Sequence, residues 1–254
     1  MKKTLIALAV AASAAVSGSA MAWTQNGTGS SVDLGGTLTP ADVITPWEVK
    51  VGAGVNDLNA NIRKGDTKVD IPVKNVISVL GIRSIKSFKG QGGIAPTIDY
   101  HGAIDISKFS NNTTGLTLDV NDAKGQKIGK LNATLSAMGR LSRVGIDDAN
   151  LTLYAAGDGH AFFGGLSDKI NGVNDGDLGL PDRVFPESGD LYSGQAVAYT
   201  GKGYAHVSNT SATYSAYYGS GIEQGQSIKI TLDTPAGADA IDWNASLPVT
   251  VSYQ

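Results

Sequence analysis

Short runs of alternating apolar and polar residues recur along most of this chain, and such runs are typical of β-strands with one buried face. The clearest runs are residues 47–51, 69–73, 116–120, 131–137, 214–218 and 228–232. Turn residues at 121–125 separate the third run from the fourth, which predicts a hairpin, and residues 223–226 turn the chain between the last two. Pro72 cannot donate a ladder hydrogen bond, so we place the strand at 69–73 on a sheet edge.

This pattern predicts an all-β protein. The chain has 33 glycines and no long stretch with apolar residues at the 3.6-residue helical spacing. About ten short strands predict an immunoglobulin-like sandwich. The apolar period fades between residues 139 and 203, where Gly and Asp are dense, so we expect loops or an inserted subdomain there.

The first residues predict export. Lys2 and Lys3 precede an apolar stretch, and Ala20-Met21-Ala22 has the small residues of a signal cleavage site. Removing residues 1–22 makes the formal charge of −3 two units more negative, which does not suit nucleic acid as a partner. Because the chain has no cysteine, neither a disulfide nor a thiolate metal site can hold the exported fold.

Two further alternating runs lie near the ends of the exported chain. The first has small or apolar residues at Val32, Leu34, Gly36 and Leu38, and the second runs to the C-terminus with one face formed by Val249, Val251 and Tyr253. A sandwich that lacks its last strand leaves an apolar groove and an unpaired edge, which an extended segment of another chain can fill. We therefore predict that the first run is a donor strand and that the second forms part of the groove.

Head-to-tail repetition of such a contact does not close, so it predicts a fibre. Gly36 suits a narrow point of the groove, where two backbones approach each other. The predicted organisation is a signal peptide at 1–22, a donor-strand extension at 23–39 and an incomplete sandwich at 40–254, with an insertion near 139–203.

Candidates for catalysis or metal binding are few. The histidines His101, His160 and His206 are scattered, and we expect surface or partly buried polar roles for them. Residues 119–122 and 174–177 contain oxygen ligands, but neither completes a twelve-residue calcium loop. Since no serine stands in a Gly-x-Ser-x-Gly motif and no phosphate-binding loop is present, we predict neither an enzyme nor a cofactor.

The chain resembles the subunits of chaperone-usher fimbriae, and most of all the cysteine-free branch that forms adhesive fimbriae on enterotoxigenic intestinal bacteria. The resemblance is carried by the signal at 1–9, the donor segment ending at 32–36, and residues 47–52, 163–166, 218–222, 225–226 and 243–253. The terminal strand with its penultimate Tyr253 is the most telling of these. Most pilins carry a disulfide, which is absent here.

The resemblance implies polymerisation by donor-strand exchange, with a periplasmic chaperone, an outer-membrane usher and neighbouring subunits as partners. It implies a place in a fimbria on the cell surface. We expect a minor subunit, and the alternative is a receptor-binding major subunit that recognises a host glycoconjugate through its inserted segments.

Two alternatives come from other classes. Strands rich in Tyr and Gly between 192 and 218 also suit an outer-membrane β-barrel protein, although paired aromatic girdles are not evident. A secreted carbohydrate-active sandwich would need two carboxylates on facing strands, and the spacing indicates no such pair.

Overall fold

The structure is a computed structural model that describes residues 35–37 and 44–254. Residues 1–42 and 43–254 form two separate units. In the first unit, residues 35–37 are exposed and form neither helix nor strand. Every element named below belongs to the second unit.

The described residues form thirteen strands and very little helix, so the all-β prediction is confirmed. The strands are β1 Trp47–Val51, β2 Lys68–Pro72, β3 Ile77–Ser84, β4 Phe88–Lys89, β5 Pro96–Asp99, β6 Thr113–Asp122, β7 Lys127–Val144, β8 Ala149–Leu153, β9 Gly201–Gly203, β10 Thr213–Ile222, β11 Ser227–Leu232, β12 Trp243–Asn244 and β13 Thr250–Tyr253. One α-helix, α1 Leu180–Val184, and two 3₁₀ turns, Ile106–Lys108 and Ile170–Gly172, complete the described part. None of these helices is long and apolar enough to cross a membrane.

The main sheet has the strand order β1-β3-β10-β7-β11-β2, which places β2 and its Pro72 at an edge as predicted. The predicted hairpin is β6–β7, with register pairs such as Leu118↔Leu131. Strands β10 and β11 do not pair with each other, since both run antiparallel to β7, along successive stretches of it. Strands β5 and β13 form a separate two-stranded sheet. The open sheets are consistent with an immunoglobulin-like sandwich.

Strand β7 is longer than the sequence pattern suggests. It is 18 residues long and continues through Gly139 to Val144, so the first six residues of the predicted irregular middle are strand. In its first half, buried and exposed residues still tend to alternate, but from Leu135 to Gly139 every residue is buried. Alternation fades there because both faces of the strand are covered.

The outer face of β7 is covered by a later segment of the same chain. On the inner face, Leu141 and its neighbours join the main core, which also contains Phe162 and Tyr218. On the outer face, Met138 packs with Leu180 and Val184 of α1. Further along the same face, two side chains contact the segment that follows α1. Arg140 lies 5.3 Å from the centre of the Tyr192 ring and 5.7 Å from that of Tyr199, and the Ser142 hydroxyl donates to the Ser193 carbonyl.

Glycines in β10 make room for this cover. A Cβ on Gly219 would collide with the Pro181 carbonyl oxygen, and a Cβ on Gly221 would lie 2.8 Å from the Val184 carbonyl oxygen. Real Cβ atoms do not approach so closely, so only glycine lets α1 lie on the sheet at these two positions. The two glycines in the run from Tyr218 to Ile222 are therefore required by the packing of α1 on β10.

Candidate functional site at the C-terminal strand

The last twelve residues form an extended segment with two unlike faces. Its odd-numbered side chains are half-buried against the main core, whereas every even-numbered residue from 244 to 254 is exposed. The half-buried set is Trp243, Ala245, Leu247, Val249, Val251 and Tyr253. The three residues predicted for the groove, at 249, 251 and 253, thus share one face and contact the core.

The hydrogen-bond register shows which backbone N–H and C=O groups of β13 bond to β5 and which face the opposite edge. Gln254 and Ala95 exchange both backbone hydrogen bonds, at 2.9 and 3.0 Å. Bonded and non-bonded pairs alternate in an antiparallel ladder, so residues 250, 252 and 254 bond towards β5. The N–H and C=O groups of Val251 and Tyr253 point to the opposite edge, where no described residue pairs with them. Pro96 faces Tyr253 in a non-bonded pair, which suits its missing N–H.

Strand β1 also has an edge that pairs with no described residue. The Ile85 N–H donates to the Pro46 carbonyl at 2.9 Å and the Gly52 N–H to the Val79 carbonyl at 3.0 Å, so the even-numbered residues of β1 bond to β3. The backbone groups of residues 47, 49 and 51 consequently point away from the sheet, because β1 is its edge strand. The side chains of Val49 and Val51 are 40% and 62% exposed.

The start of β1 is connected to the end of β13 through the Trp47 side chain. The Trp47 indole N–H donates to the Ile94 carbonyl at 2.7 Å, and the next residue, Ala95, pairs with Gln254. The start of β1 therefore lies beside the end of β13, and both strands border the same core. An arrangement of two unpaired edges over apolar side chains can accept an extended peptide as an added strand.

Buried hydroxyl groups fix β5, the strand on which β13 rests. The Tyr100 hydroxyl lies 2.9 Å from the Tyr218 hydroxyl and 2.7 Å from Ser220 Oγ of β10. Burial raises the pKa of Tyr100 to about 12, so this group stays neutral over the physiological range. On the surface, His101 Nε2 lies 2.8 Å from Thr250 Oγ1, and this hydrogen bond joins the residue after Tyr100 to the first residue of β13.

Of the four predicted donor residues, Val32, Leu34 and Leu38 lie outside the described part of the chain. Gly36 is described and exposed, and a Cβ built on it would meet no atom within 4 Å. The predicted narrow point at Gly36 therefore stays a prediction about the assembled state.

The carboxylates weighed as calcium ligands contact cationic side chains. Asp119 forms ion pairs with Lys127 and Lys130, and the same kind of contact joins Asp175 to Lys202 and Asp177 to Arg183. Within residues 35–37 and 44–254, no group of three or more His, Cys, Asp or Glu side chains could hold a metal ion.

One contact was missed by sequence reasoning. His160 and His206 are cross-strand neighbours in an isolated antiparallel bridge, and their ring centres lie 4.4 Å apart. The two residues are far apart in the chain and neither belongs to a recognisable motif, so the sequence offered no signal for their contact.

Comparisons with known proteins agree with this architecture. A family model described as "Fimbrial, major and minor subunit" matches residues 1–254. The chain is 33% identical to K88 fimbrial protein AC and 28% identical to F41 fimbrial protein, both from Escherichia coli, and each alignment covers both chains in full. Fimbrial proteins of this kind are structural and are displayed on the cell surface. The chain belongs to the family of fimbrial major and minor subunits.

Proposed function

We propose that this fimbrial subunit polymerises by donor-strand exchange, in which the N-terminal extension of one subunit lies between β13 and β1 of the next. The observation that carries the proposal is the register of β13. Its Val251 and Tyr253 backbone groups face away from β5 without a described partner, and the side chains of the same residues are only half-buried. An added strand would pair these backbone groups and cover these half-buried side chains.

The donor in this proposal is the segment at residues 23–39, which becomes the N-terminus after cleavage behind Ala22. Its Val32, Leu34 and Leu38 have the spacing of one strand face, and Gly36 stands between them. Because each subunit offers a donor at one place and an acceptor edge at another, the contact is heterologous and extends into a fibre.

An open acceptor edge also explains the proposed partners. Before assembly, two unpaired strand edges over apolar side chains would favour aggregation. A periplasmic chaperone that covers these edges, and an outer-membrane usher that exchanges it for the next donor, would meet this need. The half-buried face of residues 249, 251 and 253 is the proposed contact for the chaperone.

The test supplies the donor from the same chain. Residues 23–39 are deleted, and residues 30–39 are appended after Gln254 through a flexible linker, which gives the donor a high effective concentration. We expect a monomer that unfolds at a higher temperature than the mature subunit. The matched control is the same variant with Leu34→Asp, which should lose the gain. If the intact appended segment gives no rise in unfolding temperature, donor complementation is wrong.

The proposed role within the fimbria is that of a minor subunit, and a receptor-binding major subunit is the alternative. The family description includes both kinds, so membership in the family is compatible with either role. Immunogold counting along isolated fimbriae tests this. Label at sparse positions supports a minor subunit, and uniform label along the shaft rejects it.

A further inference from the structure

The turn that contains His160 is held by hydrogen bonds to imidazole nitrogens. The Ala156 N–H donates to His160 Nδ1 at 3.1 Å, and His206 Nδ1 lies 3.2 Å from the Gly159 carbonyl oxygen. A carbonyl oxygen only accepts, so His206 Nδ1 carries a proton. His160 Nδ1 accepts, and it must therefore be unprotonated.

The hydrogen bond at His160 Nδ1 requires a neutral imidazole, because an imidazolium ring has no nitrogen left to accept. Protonation of His160 would place a hydrogen on Nδ1, so this atom could no longer accept from the Ala156 N–H. The hydrogen bond from the Ala156 N–H to His160 Nδ1 exists only while His160 is neutral, whereas the backbone bond of the same turn, from the His160 N–H to the Gly157 carbonyl at 3.2 Å, does not depend on the ring.

The surroundings of His160 contain no compensating charge. The Tyr204 ring is stacked on its imidazole, with ring centres 4.5 Å apart and planes 6° apart, and Tyr154 packs edge-on against Tyr204. Asp158 lies in the same turn, but no carboxylate of the described residues forms an ion pair with His160 or His206. Burial, followed by the charge of His206, lowers the pKa of His160 below 6.5.

Residues 162–163, which follow the turn, contact β5, the strand that carries β13, and Trp47 at the start of β1. Phe162 is fully buried at φ 64°, a left-handed conformation that a bulky residue adopts only when its surroundings enforce it. Its N–H donates to the Pro96 carbonyl at 2.7 Å, and the Ile98 N–H donates to the Phe163 carbonyl at 2.7 Å. Thus residues 162–163 bond to the edge of β5 opposite to β13.

Phe162 also contacts β1. The Phe162 ring lies 5.7 Å from the Trp47 ring, edge to face, and 5.5 Å from that of Tyr218. Through Phe162 and Phe163, one turn supports β5, which carries the C-terminal strand, and the tryptophan at the start of β1. A change in this turn would therefore alter the packing of both β5 and β1.

We propose that the turn at residues 156–163 is an acid-sensitive latch, closed by neutral His160 and opened by its protonation, which loosens β5 and Trp47. The latch is a property of the subunit's own fold. It holds or fails whether or not subunits exchange donor strands, and all of its tests use the free mature subunit.

The direction in which stability changes with pH follows from the lowered pKa of His160. An opened or unfolded turn binds a proton at about 6.5, whereas the closed turn binds it only at lower pH. The stabilisation is therefore complete above pH 6.5 and is lost as the pH falls through the lowered value. Each unit of difference between the two pKa values makes the closed turn about tenfold less favoured at low pH.

The decisive variant is His160→Asn, whose Oδ1 can accept from the Ala156 N–H in place of Nδ1 and does not titrate. Unfolding temperature is measured between pH 7.5 and pH 4.5. The parent should lose stability below pH 6.5 more steeply than the variant. An identical pH profile for the parent and His160→Asn overturns the latch.

A second measurement holds even if the variant folds poorly. Nuclear magnetic resonance of the parent follows the His160 ring and the amides of Ala156, Phe162 and Ile98 during acidification. We expect His160 to titrate below 6.5 and the three amides to lose their hydrogen-bonded shifts at the same midpoint. The latch is overturned if His160 titrates at or above 6.5, or if these amides stay unchanged while it titrates.

Discussion

The second half of β7 and the C-terminal segment are both extended but differ in what covers them. In β7, the inner face joins the core and the outer face is covered by α1 and the segment after it. In the C-terminal segment, one face is only half-buried and one edge of β13 has no described partner. The chain therefore covers the outer face of β7 itself, whereas the C-terminal edge pairs with no other part of the chain that the structure describes.

The largest loss of stability is expected from a charge on the half-buried face of β13. Val251→Asp places a carboxylate against the apolar core, at a cost of about 3 kcal/mol or more. The matched control is Ser252→Asp, whose side chain lies on the exposed face, and it should change the free energy of unfolding by less than about 0.5 kcal/mol. Immunoblots of the periplasm should show little of the first variant and normal amounts of the second. Equal amounts would show that the half-buried face does not hold the subunit together.

A smaller loss is expected when the outer cover is pushed off the sheet. Gly219→Val brings a side chain into the Pro181 carbonyl and should destabilise the subunit by about 2–3 kcal/mol. Gly115→Val in β6 is the control, because a Cβ there meets no atom within 4 Å. Thermal unfolding compares them, and proteolysis should cut residues 177–200 only in the first. Similar stability of the two variants would mean that the cover is not tightly packed.

A loss of about 1–2 kcal/mol is expected from Arg140→Met, which keeps an unbranched side chain but removes the charge. The change abolishes the cation–π contacts with Tyr192 and Tyr199 and the hydrogen bond of 2.8 Å from Arg140 to Asn150 Oδ1. Chemical denaturation measures the loss, and the exposed Arg63→Met is the control. An unchanged midpoint for Arg140→Met would show that the polar contacts of the outer cover contribute no net stability.

The smallest effect on the subunit's own stability is expected from Leu34→Asp, although its effect on assembly should be complete. In the proposed exchange, this carboxylate would enter an apolar site of the neighbouring subunit. The variant should accumulate in the periplasm at normal levels and be absent from surface fractions, whereas Val251→Asp should be missing from both. Equal periplasmic levels of Leu34→Asp and Val251→Asp would contradict the roles assigned to the two ends.

Local sequence patterns account for the strands that have one solvent face. The period of two gave β1 its bounds at Trp47–Val51, and the turn residues at 121–125 gave the β6–β7 hairpin. Pro72 placed β2 at an edge, because a residue without an N–H cannot serve a central ladder. The side chains of 249, 251 and 253 face the core together for the same periodic reason. These features depend on neighbours in the chain, which a local pattern can report.

The tertiary structure decided what distant residues do to one another. Alternation ended before Val144 although the strand did not, since α1 covers a face that a sequence pattern assigns to solvent. The pairing of β13 with β5 sets which backbone groups of Val251 and Tyr253 remain open, and the period of side chains carries no record of that partner. The contact of His160 with His206 likewise exists only because two loops meet in space. Local chemistry therefore specified the strands, and long-range packing specified their free edges.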